Sequence, residues 1–394
     1  MFPSRVIPLV SPILALTIGC SGDRPVNESG ESESDRRPWA QGPVLEAVLG
    51  ATSGVDAPLS YIDDAAIDSR GYVYIDDLQT KGVIVLNPDL SYNRTVGREG
   101  EGPGEFTSVS AIQILPGDSL FAFDGSLDRV SIFASGSDKP AYVQDLRGEI
   151  RHGRVWRFPG SPGYLSWFFP PFMASGSDAG QVRVDILLHL RGEDPSRIDS
   201  LFSFPSGDVL VERMQNTKGS AVNVARHPFG GRSFVRVLDG STVVYANSLA
   251  LEAMAIDVDG SVGRLFSHET LPIDVTRAEL KSTADAYSRT FAGMLREGAP
   301  YKWPPLLGMV VDDSKRVWLG IRKPDRTSVE WAAFASDGTH VASVDLPAGV
   351  MLYAVRGSRL IGAMTDETDL PQFRAYDLPL FESRVAAGGI GTSQ

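Results

Sequence analysis

The residues able to carry chemistry are few and scattered. Three acid pairs stand out, Asp63-Asp64, Asp76-Asp77 and Asp312-Asp313, each at the end of a short apolar run. Hard divalent cations take oxygen ligands of this kind, and solvated turn carboxylates are the plainer reading. Asp63 and Asp64 are the candidates for a metal. Two basic groups contain histidine: Arg151, His152 and Arg154, then Arg226 and His227. Brought to one mouth, they would hold an anion through charge-assisted hydrogen bonds. Scattered, they are ordinary surface cations. Trp303, Trp156 and the run Tyr164-Leu165-Ser166-Trp167-Phe168-Phe169 supply aromatic faces that stack on sugars, anchor a protein partner, or fill space between sheets.

Several chemistries are excluded by pattern. No Gly-x-Ser-x-Gly elbow and no His-Glu-x-x-His occur, so serine hydrolase and metalloprotease readings have little support. The glycine-rich residues 97–104 lack a following Lys-Ser/Thr, and a β-forming run comes next, so they serve a tight turn rather than a phosphate. Asp257-Val258-Asp259-Gly260 lacks the third acid and closing Glu of a calcium loop and reads as a hairpin turn. The single cysteine, Cys20, rules out an intramolecular disulfide and any zinc site built on several thiolates.

The elements that must position these residues are short β-strands. The 394 residues are 42% hydrophobic and 22% charged, an ordinary globular balance, with 40 glycines and 26 prolines supplying many turns. The net charge of −12 argues against a nucleic-acid surface, which needs a clustered basic face. From about residue 43 onward β-rich runs alternate with turn clusters. Ile67-Asp68-Ser69-Arg70-Gly71-Tyr72-Val73-Tyr74-Ile75 has the form apolar-Asp-x-x-Gly-x-apolar-aromatic-apolar. Val311-Asp312-Asp313-Ser314-Lys315-Arg316-Val317-Trp318-Leu319 repeats it, with Lys315 in the glycine's place. Looser copies put hairpin turns at positions 117, 163, 240 and 357. The spacings from 71 onward are about 46, 46, 77, 75 and 42 residues, and a four-stranded propeller blade takes roughly 40–50. Six turns predict an all-β, six-bladed β-propeller with two insertions of about 30 residues. A proline-bearing loop (Pro58, Pro103, Pro228, Pro304-Pro305) precedes four proposed inner strands.

Two further elements follow. Val44-Leu45-Glu46-Ala47-Val48-Leu49 is a spare strand that can pair with the last blade and close the ring. Thr276-Arg277-Ala278-Glu279 matches a capping box, and Leu280, Ala284, Tyr287, Phe291 and Leu295 recur at helical spacing until Gly298 and Pro300. That predicts one inserted amphipathic helix of five to six turns between the fourth and fifth blades.

The N-terminus reads as an address. Residues 6–18 form an apolar run too short to span a bilayer comfortably, and Gly19 and Cys20 follow it. Leu16-Thr17-Ile18-Gly19-Cys20 resembles the lipobox of bacterial lipoprotein signal peptides. The resemblance implies that residues 1–20 carry the signal, and that Cys20 becomes an acylated N-terminus anchored in the membrane. Ser21 rather than Asp then implies the outer membrane over the inner. Residues 21–42 are mostly polar and charged, poor in aromatics, and read as a disordered tether with a span of roughly 23 Å over its first 18 residues. The propeller would fill residues 43–380 and a flexible tail residues 381–394.

The chain also resembles the six-bladed β-propeller lipoproteins of bacteria, relatives of the NHL-repeat propellers. The resemblance rests on Gly97-Arg98-Glu99-Gly100-Glu101-Gly102-Pro103-Gly104-Glu105-Phe106 and on Asp128-Arg129-Val130-Ser131-Ile132-Phe133, with late-blade matches at 311–319 and 372–378. It implies a fold and a cell-envelope location and no settled activity. Two functions therefore stand open. One is a lipid-anchored binding or scaffold module engaging an envelope protein, peptide or glycan, without cofactor. The other is a metal-dependent lactonase or hydrolase whose divalent ion sits on Asp63 and Asp64, where the first inner strand would meet the channel. A purely structural repeat is a third alternative.

Overall fold

The computed structural model describes residues 44–49, 59, 61–148, 152–168, 184–191, 194, 197–205, 207–216, 219–365 and 371–378, with backbone alone for 44–49, 184 and 213–222. Among these residues are six four-stranded antiparallel sheets and two two-stranded ones. The inner strands are Ile62–Ile67, Val109–Leu115, Arg154–Arg157, Ser233–Val237, Leu306–Val311 and Met351–Arg356. Each hairpins into a second strand: Val73–Asp77, Ser119–Asp124, Tyr164–Phe168, Thr242–Asn247, Val317–Arg322 and Arg359–Thr365. All six expected turn positions fall in these hairpins, so the blade count holds.

The repeated turn motif has a physical cause. Asp68 Oδ1 accepts from the backbone N–H of Arg70 and Tyr72, at 2.9 and 3.0 Å, and Oδ2 accepts from the Tyr74 hydroxyl. Asp312 does the same in blade five, taking the N–H groups of Ser314 and Arg316 through Oδ1, and Trp318 Nε1 at 2.8 Å through Oδ2. A buried carboxylate thus caps the turn and also satisfies the polar end of the following aromatic side chain. The plain reading of the paired acids as solvated fails for Asp64, Asp76, Asp77 and Asp312, all of which are buried. Lys315 takes the left-handed conformation, φ 61°, that Gly71 takes at φ 85° in the first copy.

Closure works as the spare strand suggested. Val44–Leu49 pairs antiparallel with the last strand, Pro371–Asp377, from Val44 opposite Asp377 to Leu49 opposite Phe373. The sixth blade is therefore assembled from both ends of the chain. Seams between blades are filled by large side chains, Trp318 and Trp331 among those fully buried. Aromatic side chains of this kind bury about 150–250 Å² each and dominate the stability of such seams. The glycine-rich loop before blade two is one of these packing devices. Gly97 has φ 82°, and a Cβ there would lie 2.4 Å from the ring of the fully buried Phe106.

The expected single helix is two. α1 spans Arg277–Asp285 and α2 spans Arg289–Glu297. The capping box at Thr276 and Glu279 is present. The break falls at Tyr287-Ser288, because Ser288 caps a fresh helix by accepting from Phe291 N–H and the Tyr287 hydroxyl donates to the Arg226 carbonyl. The apolar stripe survives the break, since Ala284, Phe291 and Leu295 are buried with Phe229 and Leu210. Leu210 lies in the hairpin Val209–Asn216 and Gly219–Arg226, inserted between blades three and four. The two insertions thus share a small core of their own.

Candidate functional site

The inner strands enclose an axial well of about 560 Å³. Ser69, Asp118, Asp239, Asp313 and Lys315, from the turns between inner and second strands, stand on its rim. These turns tie neighbouring blades together: Ser69 Oγ donates to Asp118 Oδ2 at 2.5 Å, Lys315 Nζ lies 3.8 Å from Asp239, and Gly357 N–H donates to Asp313 at 3.1 Å. The wall includes Ile112, Ile114, Trp156, Val237, Val310 and Val355. At the inner end are Asp64, Arg236 and Tyr353.

A charged waist lies around that end. A register shift between Ile62 and Asp64 leaves Asp63 out of the regular pairing. Its Oδ2 accepts from Arg154 Nη2 at 2.5 Å, a bridge from blade one to blade three. Asp64 lies opposite Asp76 in the register between the inner and second strands. Asp76 is 1% exposed, and neither of its carboxylate oxygens has a hydrogen-bond partner. Burial pushes its pKa up to about 8, with the charges of Asp63 and Asp64 adding to the rise. Asp64 is also raised, by burial first, against the opposing pull of Arg236 and Arg154. Burial alone would depress the Arg154 guanidinium, but Asp63, Asp64 and Asp76 together hold it above its ordinary value. Burial likewise raises the Tyr353 hydroxyl, which donates to the Ile62 carbonyl at 3.3 Å. The waist therefore holds two arginines, the Asp63 and Asp64 carboxyls, and an Asp76 that keeps its proton at neutral pH.

This arrangement is not a ready donor shell for a cation. Asp63 is engaged by Arg154, and Asp64 Oδ1 accepts from Ala65 N–H at 3.0 Å. Among the described residues no group of three or more His, Cys, Asp or Glu side chains is set to hold a metal.

The other expected residues are dispersed differently from the expectation. His152 is buried in blade three, its Nδ1 2.7 Å from Ser166 Oγ and its N–H donating to Asp128; burial lowers its pKa. Arg151 and Cys20 lie outside the described residues. His227 and Trp303 do come together, through Phe229: the His227 and Phe229 ring centroids are 6.1 Å apart and those of Phe229 and Trp303 4.9 Å. Arg226 closes the inserted hairpin beside them. The residues missed outright are Asp76 as a member of the waist, Arg236 and Tyr353. For Asp76 there was a signal. In the same register, blade two has Phe123 and blade five Gly320, so a carboxylate at this inward position is the exception.

No family model matches the chain, and no curated protein matches it either. Solved structures resemble it over most of its length. A gluconolactonase of Xanthomonas campestris is 12% identical, covering 87% of this chain and 97% of that one at TM-score 0.46. A calcium-binding protein of Agrobacterium tumefaciens, regucalcin, is 12% identical over 86% and 95%, at TM-score 0.42. A protein of Bacteroides fragilis described as exported is 9% identical over 85% and 94%, at TM-score 0.45. Likenesses of this strength transfer neither activity nor ligand.

Proposed function

We propose that the chain is a binding module of the bacterial cell envelope, tethered by an acylated Cys20, whose axial well receives the end of a peptide or glycan. The observation that carries this reading is the well itself. It is roomy enough for one sugar ring or one side chain, has an apolar wall with Trp156 for stacking, and ends on groups of both signs, Asp64 and Arg236. Its described lining includes neither histidine nor cysteine. Pre-set polar groups at the bottom of a rigid ring lose little entropy on binding, which suits recognition.

The test is a panel of defined peptides and glycans, read with wild type and with Ala66→Trp. Ala66 is a half-buried residue on the well lining, so an indole there occupies the space where the ligand would sit. Hits that wild type binds and Ala66→Trp loses at least tenfold, with the melting temperature within a few degrees, support the reading. Equal binding by both proteins overturns it.

The anchor has its own check. Cys20→Ala is expected to abolish lipid labelling and to move the protein wholly into the aqueous phase on detergent partitioning. Unchanged membrane association would remove the anchor from the proposal and leave the well standing.

The metal-dependent alternative for Asp63 and Asp64 is decided separately by elemental analysis of purified protein. Stoichiometric calcium or zinc that disappears in the Asp63→Ala/Asp64→Ala variant would move the assignment towards the hydrolase.

A further inference from the structure

The other end of the ring, where the insertions join the blades, carries a constellation that the well does not use. Arg322 ends the second strand of blade five. Its guanidinium stands 4.6 Å from the centroid of the Trp303 ring, and its Nε donates to the Pro304 carbonyl at 3.0 Å. Arg232 leads into the inner strand of blade four. Its N–H donates to Ser248 Oγ at 2.8 Å, its carbonyl accepts from Ser248 N–H, and Leu306 N–H donates to the Ser248 carbonyl. Arg322 N–H in turn donates to the Pro305 carbonyl. This run of bonds sets both arginines on one seam, between blades four and five.

Their surroundings are one-sided. The groups acting on Arg232 are Arg226 and the hydroxyls of Tyr61 and Tyr287; the charge acting on Arg322 is that of Arg232. Among the described residues neither guanidinium forms an ion pair with a carboxylate. Partial loss of hydration first, and like charge second, holds both guanidiniums below the ordinary arginine range, although the Arg232 side chain still reaches solvent. Beneath Arg322, Trp303 Nε1 is a buried donor with no acceptor. Tyr61, just ahead of the inner strand of blade one, is 58% exposed. Arginines that repel one another beside an idle N–H lack one thing, an acceptor of negative charge.

We infer that this seam is an oxyanion-binding site, in which Arg232 and Arg322 clamp a carboxylate or phosphate borne on a small molecule or chain end, beside the Trp303 indole. The planar guanidinium fork matches such groups with two parallel hydrogen bonds, which an ammonium does not do. Binding would also relieve the repulsion between the arginines, so affinity depends on both being present. The Arg154–Asp63 bridge belongs to the channel waist, outside this seam. The site is therefore independent of the well and of what the well binds.

The experiment titrates the full chain with sodium succinate and, separately, with inorganic phosphate, against potassium chloride at matched ionic strength. Tryptophan fluorescence and calorimetry are the readouts. A saturable response to either anion is expected, weakened at least tenfold in both Arg322→Met and Arg232→Met, with the fluorescence change lost in Trp303→Phe. Preference for succinate assigns the site to carboxylates, and preference for phosphate to phosphoryl groups. Arg232 is exposed, so Arg232→Met should fold even if Arg322→Met does not. No saturation beyond the chloride control, or an unchanged affinity in Arg232→Met, overturns the inference.

Discussion

Replacing Arg154 with alanine is expected to cost about 3 kcal/mol of folding stability at pH 7, because it strands buried negative charge. Arg154 is the cation bonded to Asp63, and its charge also reaches Asp64 and Asp76. Both side chains of the pair are partly open, 26% and 20%, so the loss belongs at the lower end of what breaking a buried pair costs. In a chain of this size that is a fall in melting temperature of about 5 °C. The double variant Asp63→Asn/Arg154→Ala should recover part of the loss, and a double-mutant cycle isolates the coupling. The deficit should also shrink in acid, where Asp64, its pKa raised by burial, takes up a proton and no longer needs a cation. A loss that is the same at pH 4 and pH 7 would mean that Arg154 acts through packing, not charge.

Asp76→Asn should act in the opposite direction. The carboxyl keeps its proton up to about pH 8 in the folded protein, against an ordinary 3.8. Below pH 4 both folded and unfolded chains hold the proton, and the residue adds no pH dependence. Between pH 4 and 8 the unfolded chain has released it and the folded chain has not, so stability falls as pH rises. Above pH 8 the penalty is complete. At 1.36 kcal/mol per pH unit this gives a ceiling of about 6 kcal/mol. Asparagine removes the charge while keeping the shape. The variant should match wild type at pH 4, exceed it increasingly up to about pH 8 and level off above that, in urea melts taken at each pH. Parallel stability–pH curves for the two proteins would show that Asp76 is not the group that titrates.

How much of this was legible in sequence depends on how local the cause is. The hairpins were readable because Asp68 and Asp312 act within six residues, on their own turns and on Tyr74 and Trp318. The closing strand was readable because it had no other partner. The split between α1 and α2 was not, since Tyr287 fits the helical period and is drawn out only by a carbonyl 61 residues away, that of Arg226. His152 was misplaced for the same reason: nothing near it in sequence announces that Ser166 will take its ring nitrogen inside a blade. The waist depends on Asp63 and Arg154, 91 residues apart, facing each other through the ring. Only Asp76 left a trace, as an acid in a register where other blades place Phe123 or Gly320.

Pairing Val44–Leu49 with Pro371–Asp377 has a consequence for biogenesis. Val44–Leu49 leaves the ribosome long before its partner Pro371–Asp377 and must wait for it. Bringing ends roughly 330 residues apart together costs about 5 kcal/mol of chain entropy by the logarithmic law, repaid only after the intervening hairpins have shortened the effective loop. Until then the final blade has three strands and an unpaired outer edge, a template that a neighbouring nascent chain can occupy. Maturation is therefore all-or-none with respect to chain completion, and the period between synthesis and docking of the N-terminal segment is when intermolecular strand exchange and aggregation are most to be expected.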